Sequence, residues 1–447
     1  MKKFLILVLF GLYLAPVQAQ TKSYTLSLEQ AIVLAQDSSY ASVNARREMT
    51  RALKKKWETT ATGLPQINGS VSYNNNIKQS VTLIPGEITG GAPGSFTPVV
   101  FGTEQNATAQ ATLEQLIFDG SYLVGLQAAK TFSDFSKNAY DKTQIEVEKS
   151  VVNAYGSALM AQALVSVFDN NYKTLKKSYE ELAIVYANGL TELESLEQLE
   201  ITLLEVKGYL DNAQRSQSLA FNLLRATLGL PLEAELNLTD DLSTLVLRAS
   251  EEFDPEINVD LQKQIDVRIA ENFTEQRRLE WLLERSRALP TFSAFLNYST
   301  QAFNNDFTFT DNNQQWFQSS VLGVRMQVPI FSSGLRSARS SQAKIAWDQA
   351  KTEFTQTKQA TQIAFENALS DFNLSKDNYS NAQRSVNLAE RVAEKNQIKF
   401  DQGIASSFDL YQAQAQFYRA QQNYYTSLLA LLNAKTVLET FINPPTF

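Results

Sequence analysis

Apolar residues recur every three and four positions along much of the chain. Val165, Phe168, Tyr172, Leu175, Tyr179, Leu182 and Tyr186 form one row. Leu196, Leu199, Leu203, Val206, Leu210 and Ala213 continue it beyond a break at Gly189. Alternating steps of three and four make a heptad seam, the stripe that two helices can bury together. Glycine reaches a left-handed backbone without strain, so the break predicts a reversal and an antiparallel coiled-coil hairpin. The pattern returns later. Tyr379, Ala382, Val386, Ala389, Ala393, Asn396 and Phe400 precede Gly403, and Leu410, Ala413, Phe417, Ala420, Tyr424 and Ser427 follow it. Many of these positions are small, which suits helices packed sideways into a wall better than an isolated hairpin.

The recurrence extends to the whole chain. Leu64-Pro65 returns as Leu289-Pro290, and Ile117-Phe118-Asp119-Gly120 as Ile330-Phe331-Ser332-Ser333-Gly334. Asn188-Gly189-Leu190 returns as Gln402-Gly403-Ile404, and Pro231 as Pro445. Gly120 to Gly189 and Gly334 to Gly403 both span 69 residues, at a constant offset of 214. Internal repeats of this kind mean a duplicated structural unit. Each copy predicts a first helix (27–63 and 258–289), two strands (66–118 and 290–331) and a long helical hairpin (120–229 and 334–442). Ser27 and Gln30 make a capping box at the first helix. Sixty-nine helical residues would span roughly 100 Å. The expected organisation is a first repeat over 20–231, a connector over 232–257 and a second repeat over 258–447.

Between the first and the long helices the period drops to two. Ile67, Gly69, Val71 and Tyr73 alternate with Asn68, Ser70, Ser72 and Asn74. Ala107, Ala109, Ala111 and Leu113 alternate with Asn106, Thr108, Gln110 and Thr112. In the second copy Phe292, Ala294, Leu296 and Tyr298 form one apolar row, broken by Phe295. Leu322, Val324, Met326, Val328 and Ile330 form another, against Val321, Gly323, Arg325 and Gln327. Such alternation over about ten residues fits membrane-spanning strands, and it also fits two soluble hairpins packed on the helices. Phe96, Phe101, Phe303, Phe307, Phe309, Trp316 and Phe317 crowd the strand ends like an interfacial girdle. The Gly-rich stretch from Gly86 to Gly94 has no following Lys-Ser/Thr and is read as an external loop, not a phosphate loop.

The N-terminus favours the membrane reading. Lys2 and Lys3 precede an apolar run over 4–14, and Ala15-Pro16-Val17-Gln18-Ala19 ends with small residues at the cleavage positions. That three-part pattern is a secretory signal over 1–19. No later apolar stretch reaches 18 residues, so a span must be made of strands. Four strands cannot close a barrel, which needs at least about eight. Three protomers would bring twelve strands and four would bring sixteen.

Composition narrows the chemistry. The 447 residues include neither His nor Cys, which removes Ser-His-Asp and Cys-His catalysis and ordinary zinc sites. A formal charge of −7 argues against nucleic acid as a partner. The basic cluster of Arg46, Arg47, Arg51, Lys54, Lys55 and Lys56 reads as a solvated helix face. Glu251-Glu252 and Asp240-Asp241 lie on no catalytic scaffold, and the expectation is a chain that is not an enzyme and holds no cofactor or metal.

The export signal, Ser27-Leu28-Glu29-Gln30-Ala31, and two copies of Leu-Pro, strand, strand, Phe-Asp/Ser-Gly, long helix, Gly turn and helix together resemble the TolC-like outer membrane efflux proteins of Gram-negative bacteria. The resemblance covers nearly the whole exported chain. It implies a mainly α fold with a β-barrel part, and a homotrimer closing a twelve-stranded barrel in outer-membrane lipid above a helical tube. It also implies a passive exit duct that meets a periplasmic adaptor and an inner-membrane pump, with an equatorial belt near 231–258. Asn188, Gly189, Leu190 and Thr191, with Gln402, Gly403, Ile404, Ala405 and Ser406, match the tip turns that dock the adaptor. Asp409 matches a carboxylate that narrows the closed tip. A second aspartate common three residues on is Gln412 here, and the first-copy equivalent of Asp409 is Ser195, flanked by Glu192, Glu194 and Glu197. Asp409 also stands where an acid caps a helix. A periplasmic coiled-coil adaptor is the alternative, although adaptors carry one hairpin rather than two.

Overall fold

The elements begin and end where the hydrophobic period changes. In the computed structural model, which describes residues 23–249 and 259–442, strand β1 (Ser23–Leu26) leads into helices α1 (Leu28–Ser38) and α2 (Tyr40–Ala61). Strands β2 (Gln66–Asn75), β3 (Val81–Pro85), β4 (Phe96–Val100) and β5 (Gln105–Phe118) precede helices α3 (Gly120–Ala187) and α4 (Leu193–Leu228). Strand β6 (Glu235–Leu238) and helix α5 (Leu242–Ala249) lead to α6 (Ile265–Ser286), β7 (Thr291–Asn304) and β8 (Phe317–Gln327). Helices α7 (Leu335–Asp401) and α8 (Ser407–Ile442) close the chain. The expected signal over 1–19, Glu251-Glu252 and Pro445 lie outside the described residues.

Three local expectations change. The helix expected over 27–63 is two helices, broken at Ser39, whose backbone is extended (φ −60°, ψ 145°). The Ser39 hydroxyl accepts the Ser42 N–H at 3.2 Å, so it caps a new helix rather than continuing the old one. The capping box on α1 forms as read, between Ser27 and Gln30. The helix expected from 258 begins at Ile265, after a short 3-10 turn over Leu261–Lys263 capped by Asp260. The Gly-rich loop is itself a hairpin: β3 pairs antiparallel with β4, and a 3-10 turn, Gly86–Thr89, lies between them.

The chain divides into two compact units. The first comprises Met1–Glu48, Lys137–Ile269 and Gln356–Phe447. It holds the coiled-coil seam: Phe168, Leu175, Leu199, Val206, Leu210 and Leu410 are buried together, with Val165, Tyr172, Tyr179, Leu182 and Leu203 packed around them. These are the residues that the heptad count selects. The small second-copy positions Ala389, Ala393, Ala413 and Ala420 are buried too. A second cluster joins Ala31 and Ala35 of α1, Val151, Tyr155 and Ala158 of α3, Leu224 and Leu228 of α4, and Leu428, Leu431 and Leu438 of α8.

This cluster corrects the expectation that no apolar stretch reaches 18 residues. An 18-residue window of α3 has a mean hydropathy of 1.4, but half of it is buried inside the protein. Its apolarity serves the core, where Tyr155 and Ala158 are fully enclosed. Beside it β1 pairs parallel with β6. The Tyr155 hydroxyl donates to Leu26 O at 2.9 Å and to an Asp240 carboxylate oxygen at 3.0 Å, which also accepts the Leu28 N–H at 2.7 Å. Burial, reinforced by the Asp240 charge, holds the Tyr155 hydroxyl protonated well above the usual tyrosine range. One part-buried carboxylate thus ties a helix start, a strand and a core tyrosine.

The second unit comprises Met49–Ser136 and Ala270–Thr355. Its centre is a four-stranded antiparallel sheet in the order β2-β5-β7-β8. Below the strands Trp281 of α6 stacks on Trp347 of α7 at 5.2 Å, with Arg285 over the first ring and Lys351 over the second. Aromatic stacking and cation–π contacts of this kind fasten neighbouring helices.

Candidate functional site

Register decides what the sheet can do. Ile67 pairs with Leu113, Leu113 with Leu296, and Leu296 with Leu322, so one apolar level crosses all four strands. One residue away, Asn68, Thr112, Asn297 and Val321 form the next level on the other face. The alternation of each strand is therefore summed across the sheet, giving one apolar and one polar face. The apolar face is open: Val71 is 83% exposed, Leu322 78% and Val324 69%. An exposed apolar area this continuous needs a nonaqueous neighbour. Among the described residues β2 pairs only with β5, and β8 only with β7, so both sheet edges keep unpaired backbone groups. Such edges are not viable in lipid unless another strand pairs them.

Aromatic residues mark the loop end of the sheet. Tyr73, Phe307 and Phe309 form a triangle with ring centroids 5.6–5.8 Å apart, and Phe303 lies 6.2 Å from Phe317. Phe295, which breaks the alternation in sequence, stays in regular register, opposite Glu114 on one side and Gly323 on the other. It therefore lies on the polar face. Its ring occupies the space above Gly323, where an added Cβ would stand 2.6 Å from the ring. The missing side chain opposite was the one sequence signal for this placement.

The tip residues lie in the first unit. Gly189 (φ 74°) and Gly403 (φ 71°) are both left-handed. Leu190 N–H donates to Val185 O at 3.1 Å and Gly189 N–H to Tyr186 O at 2.8 Å. Ile404 and Gly403 make the matching bonds to Lys399 O and Phe400 O at 2.8 and 2.9 Å. Both are Schellman turns, which satisfy the last carbonyls of a helix before the chain reverses. They leave Leu190 77% and Ile404 71% exposed. Thr191, Ser195, Gly403, Ala405 and Ser406 line one cleft of about 520 Å³, walled by Leu182, Val185 and Phe400. Asn188 donates to Ile184 O from its side chain. Glu192 is the N-cap of α4 without a capping side-chain bond, and Gln402 and Gln412 are exposed.

Asp409 is exposed and engaged through one carboxylate oxygen at the start of α8. Its carboxylate accepts the Ser406 hydroxyl at 2.7 Å and the Ser406 N–H at 3.1 Å, while Ser406 Oγ accepts the Asp409 N–H at 3.1 Å. This is a capping box with aspartate in place of the usual glutamate. The Ser406 hydrogen bonds hold its carboxyl below the ordinary aspartate range. A depressed pKa contributes stability above the unfolded value and loses it as pH falls. Asp409→Ala should therefore lower amide protection over residues 406–410 at pH 7. The difference from wild type should begin to shrink below about pH 4, near the unfolded aspartate value, and vanish only once the pH has fallen through the lowered folded value. Equal protection at pH 7 would mean that the cap carries nothing.

Residues 257–443 match the family model described as outer membrane efflux protein. Among solved structures, the Campylobacter jejuni CmeC outer membrane channel superposes with a TM-score of 0.73 at 18% identity, over 93% of this chain and 85% of that one. The Vibrio cholerae outer membrane protein VceC gives 0.68 at 17%, over 93% and 95%. The open state of the Neisseria gonorrhoeae MtrE outer membrane channel gives 0.68 at 17%, over 93% and 88%. No curated protein matches by sequence. The fold along nearly the whole chain is thus that of the TolC-like outer membrane channels, and residues 257–443 match the model of the outer membrane efflux proteins.

Proposed function

We propose that this chain is one protomer of a homotrimeric, passive exit duct that crosses the outer membrane and extends through the periplasm. The observation that carries the proposal is the four-stranded sheet with an open apolar face, a polar face and two unpaired edges. Lipid satisfies the first and water the second. Pairing β8 of one copy with β2 of the next satisfies the edges, and three copies reach twelve strands. The helical hairpins then run from the barrel to a periplasmic adaptor, which links the duct to an inner-membrane pump. The turns at Asn188–Thr191 and Gln402–Ser406 are the docking tips. Leu190 and Ile404 offer the exposed apolar contacts that a partner covers. Ser195, Glu192, Asp409 and Gln412 line the aperture beside them, where Asp409 acts first as a helix cap. The segment over 1–19 directs export and is cleaved.

The test is the native mass of the protein extracted from outer membranes in mild detergent. A mass near three times the 50.0 kDa chain, less the signal, is expected. A monomer that stays soluble without detergent would sink the barrel and leave the adaptor reading.

A further inference from the structure

The polar face of the sheet is almost free of charge. Among its paired residues, from Gln66 on β2 to Gln327 on β8, the only ionisable side chains are Glu114 and Arg325. The two are not ion-paired. They stand two strands apart and two residues apart along the strands, which places their backbones roughly 12 Å from each other at ordinary sheet spacing. Phe295 sits between them. It pairs with Glu114 on β5 and with Gly323 on β8, and its ring covers the bare Gly323 backbone. The Arg325 guanidinium lies over that ring, 5.2 Å from its centroid. An arginine stacked on an aromatic face keeps its charge and loses its freedom to swing.

We propose that Glu114, Phe295 and Arg325 are the charge-sorting element of the strand barrel. Two unpaired opposite charges face the water-filled passage, and an aromatic spacer keeps them from neutralising each other. The inference rests on the duct reading, which makes this face the lumen. All three residues lie near the end of the strands that joins the helices, since Thr291 begins β7 and Gln327 ends β8. Small charged solutes arriving from the helical side meet them before the uncharged remainder of the barrel wall. Phe295 is a positioning residue: it acts on cargo only through Arg325.

The experiment is the cation-to-anion permeability ratio of the full-length protein in planar bilayers, read from reversal potentials in a salt gradient. A unit charge at 4–8 Å in water changes local ion occupancy roughly two- to fivefold. Arg325→Gln should raise the ratio by that factor and Glu114→Gln should lower it. Phe295→Ala frees the guanidinium to reach Glu114. A double-mutant cycle of Arg325→Gln and Glu114→Gln on the thermal midpoint of the assembled protein should therefore show no coupling in wild type and a measurable coupling in the Phe295→Ala background. Phe295→Leu keeps the bulk between the charges and should show none. A purely structural role for Phe295 would not create that coupling. Pores whose ratio ignores both charge removals would overturn the proposal. Absence of that coupling in the Phe295→Ala background would remove the spacer from it. A wild-type protein that forms no pores would defeat the duct reading instead.

Discussion

Leu322→Arg is expected to prevent assembly of the strand barrel, while Val321→Arg, one residue earlier, leaves assembly intact. Leu322 is 78% exposed and belongs to the level in which Ile67, Leu113, Leu296 and Leu322 cross the sheet. On the proposed reading this level faces acyl chains. An arginine on the lipid face of a membrane strand costs about 2–4 kcal/mol near the bilayer centre, and every protomer of the oligomer carries it. Val321 pairs with Asn297 and lies level with Thr112 and Asn68 on the opposite face. A cation there is hydrated, so it changes conduction and not assembly. Native gels of outer-membrane extracts distinguish the two variants. Equal assembly of both would remove the lipid from the apolar face. Loss of Val321→Arg alone would mean that the two faces are assigned backwards.

The second large effect is expected in the first unit. Gly229 ends α4 at φ 72°, and a Cβ there would stand 2.4 Å from Ser38 O and 3.1 Å from Ser39 Cα. Gly229 N–H donates to Ala226 O and Leu230 N–H to Arg225 O, a third Schellman turn. Ser38 Oγ bonds both Leu34 O and Leu228 O at 2.7 Å, so α1 is clamped onto the turn. A side chain must therefore accept a left-handed backbone, which costs roughly 1–2 kcal/mol, and push α1 off a site where Ala31 and Ala35 are fully buried. Overpacking of this kind costs about another 1–3 kcal/mol. Gly229→Val should lose the sum of these, seen as a lower urea midpoint of the helical signal. Gly208 lies within α4 with nothing within 4 Å of an added Cβ. Gly208→Ala should gain about 0.5–1 kcal/mol from helix propensity alone. If the two glycine variants shifted the midpoint alike, the close approach of α1 would carry no weight.

Much of the fold was legible because burial follows local period. A step of 3.5 selects a single stripe on a helix, so the seam from Val165 to Ala213 could be counted before any partner was known. A step of two selects a strand face in the same way. The tip glycines were equally plain: a long helical pattern that stops at glycine and resumes four residues later can only reverse. The capping role of Asp409 followed from its place in a first turn, since such bonds reach only three residues along the chain. Ser39 was harder. A serine inside a helical pattern is compatible with continuing the helix, and the break depends on Ser38 meeting Leu228 O, 190 residues away.

The sequence by itself determined that the same motifs recur twice along the chain, that its helices pair as hairpins and that its strands have one apolar and one polar side. Those are properties of spacing, and spacing is local. Only the tertiary structure decided that β5 pairs with β7, joining the repeats into one sheet, and that the apolar sides of four strands fall on one face. It alone placed Phe295 between two charges, over a glycine of another strand. These depend on which distant segments meet and in what register, and a one-residue slip would have exchanged the faces. A periodic pattern states what a segment must bury; only its partner determines against what.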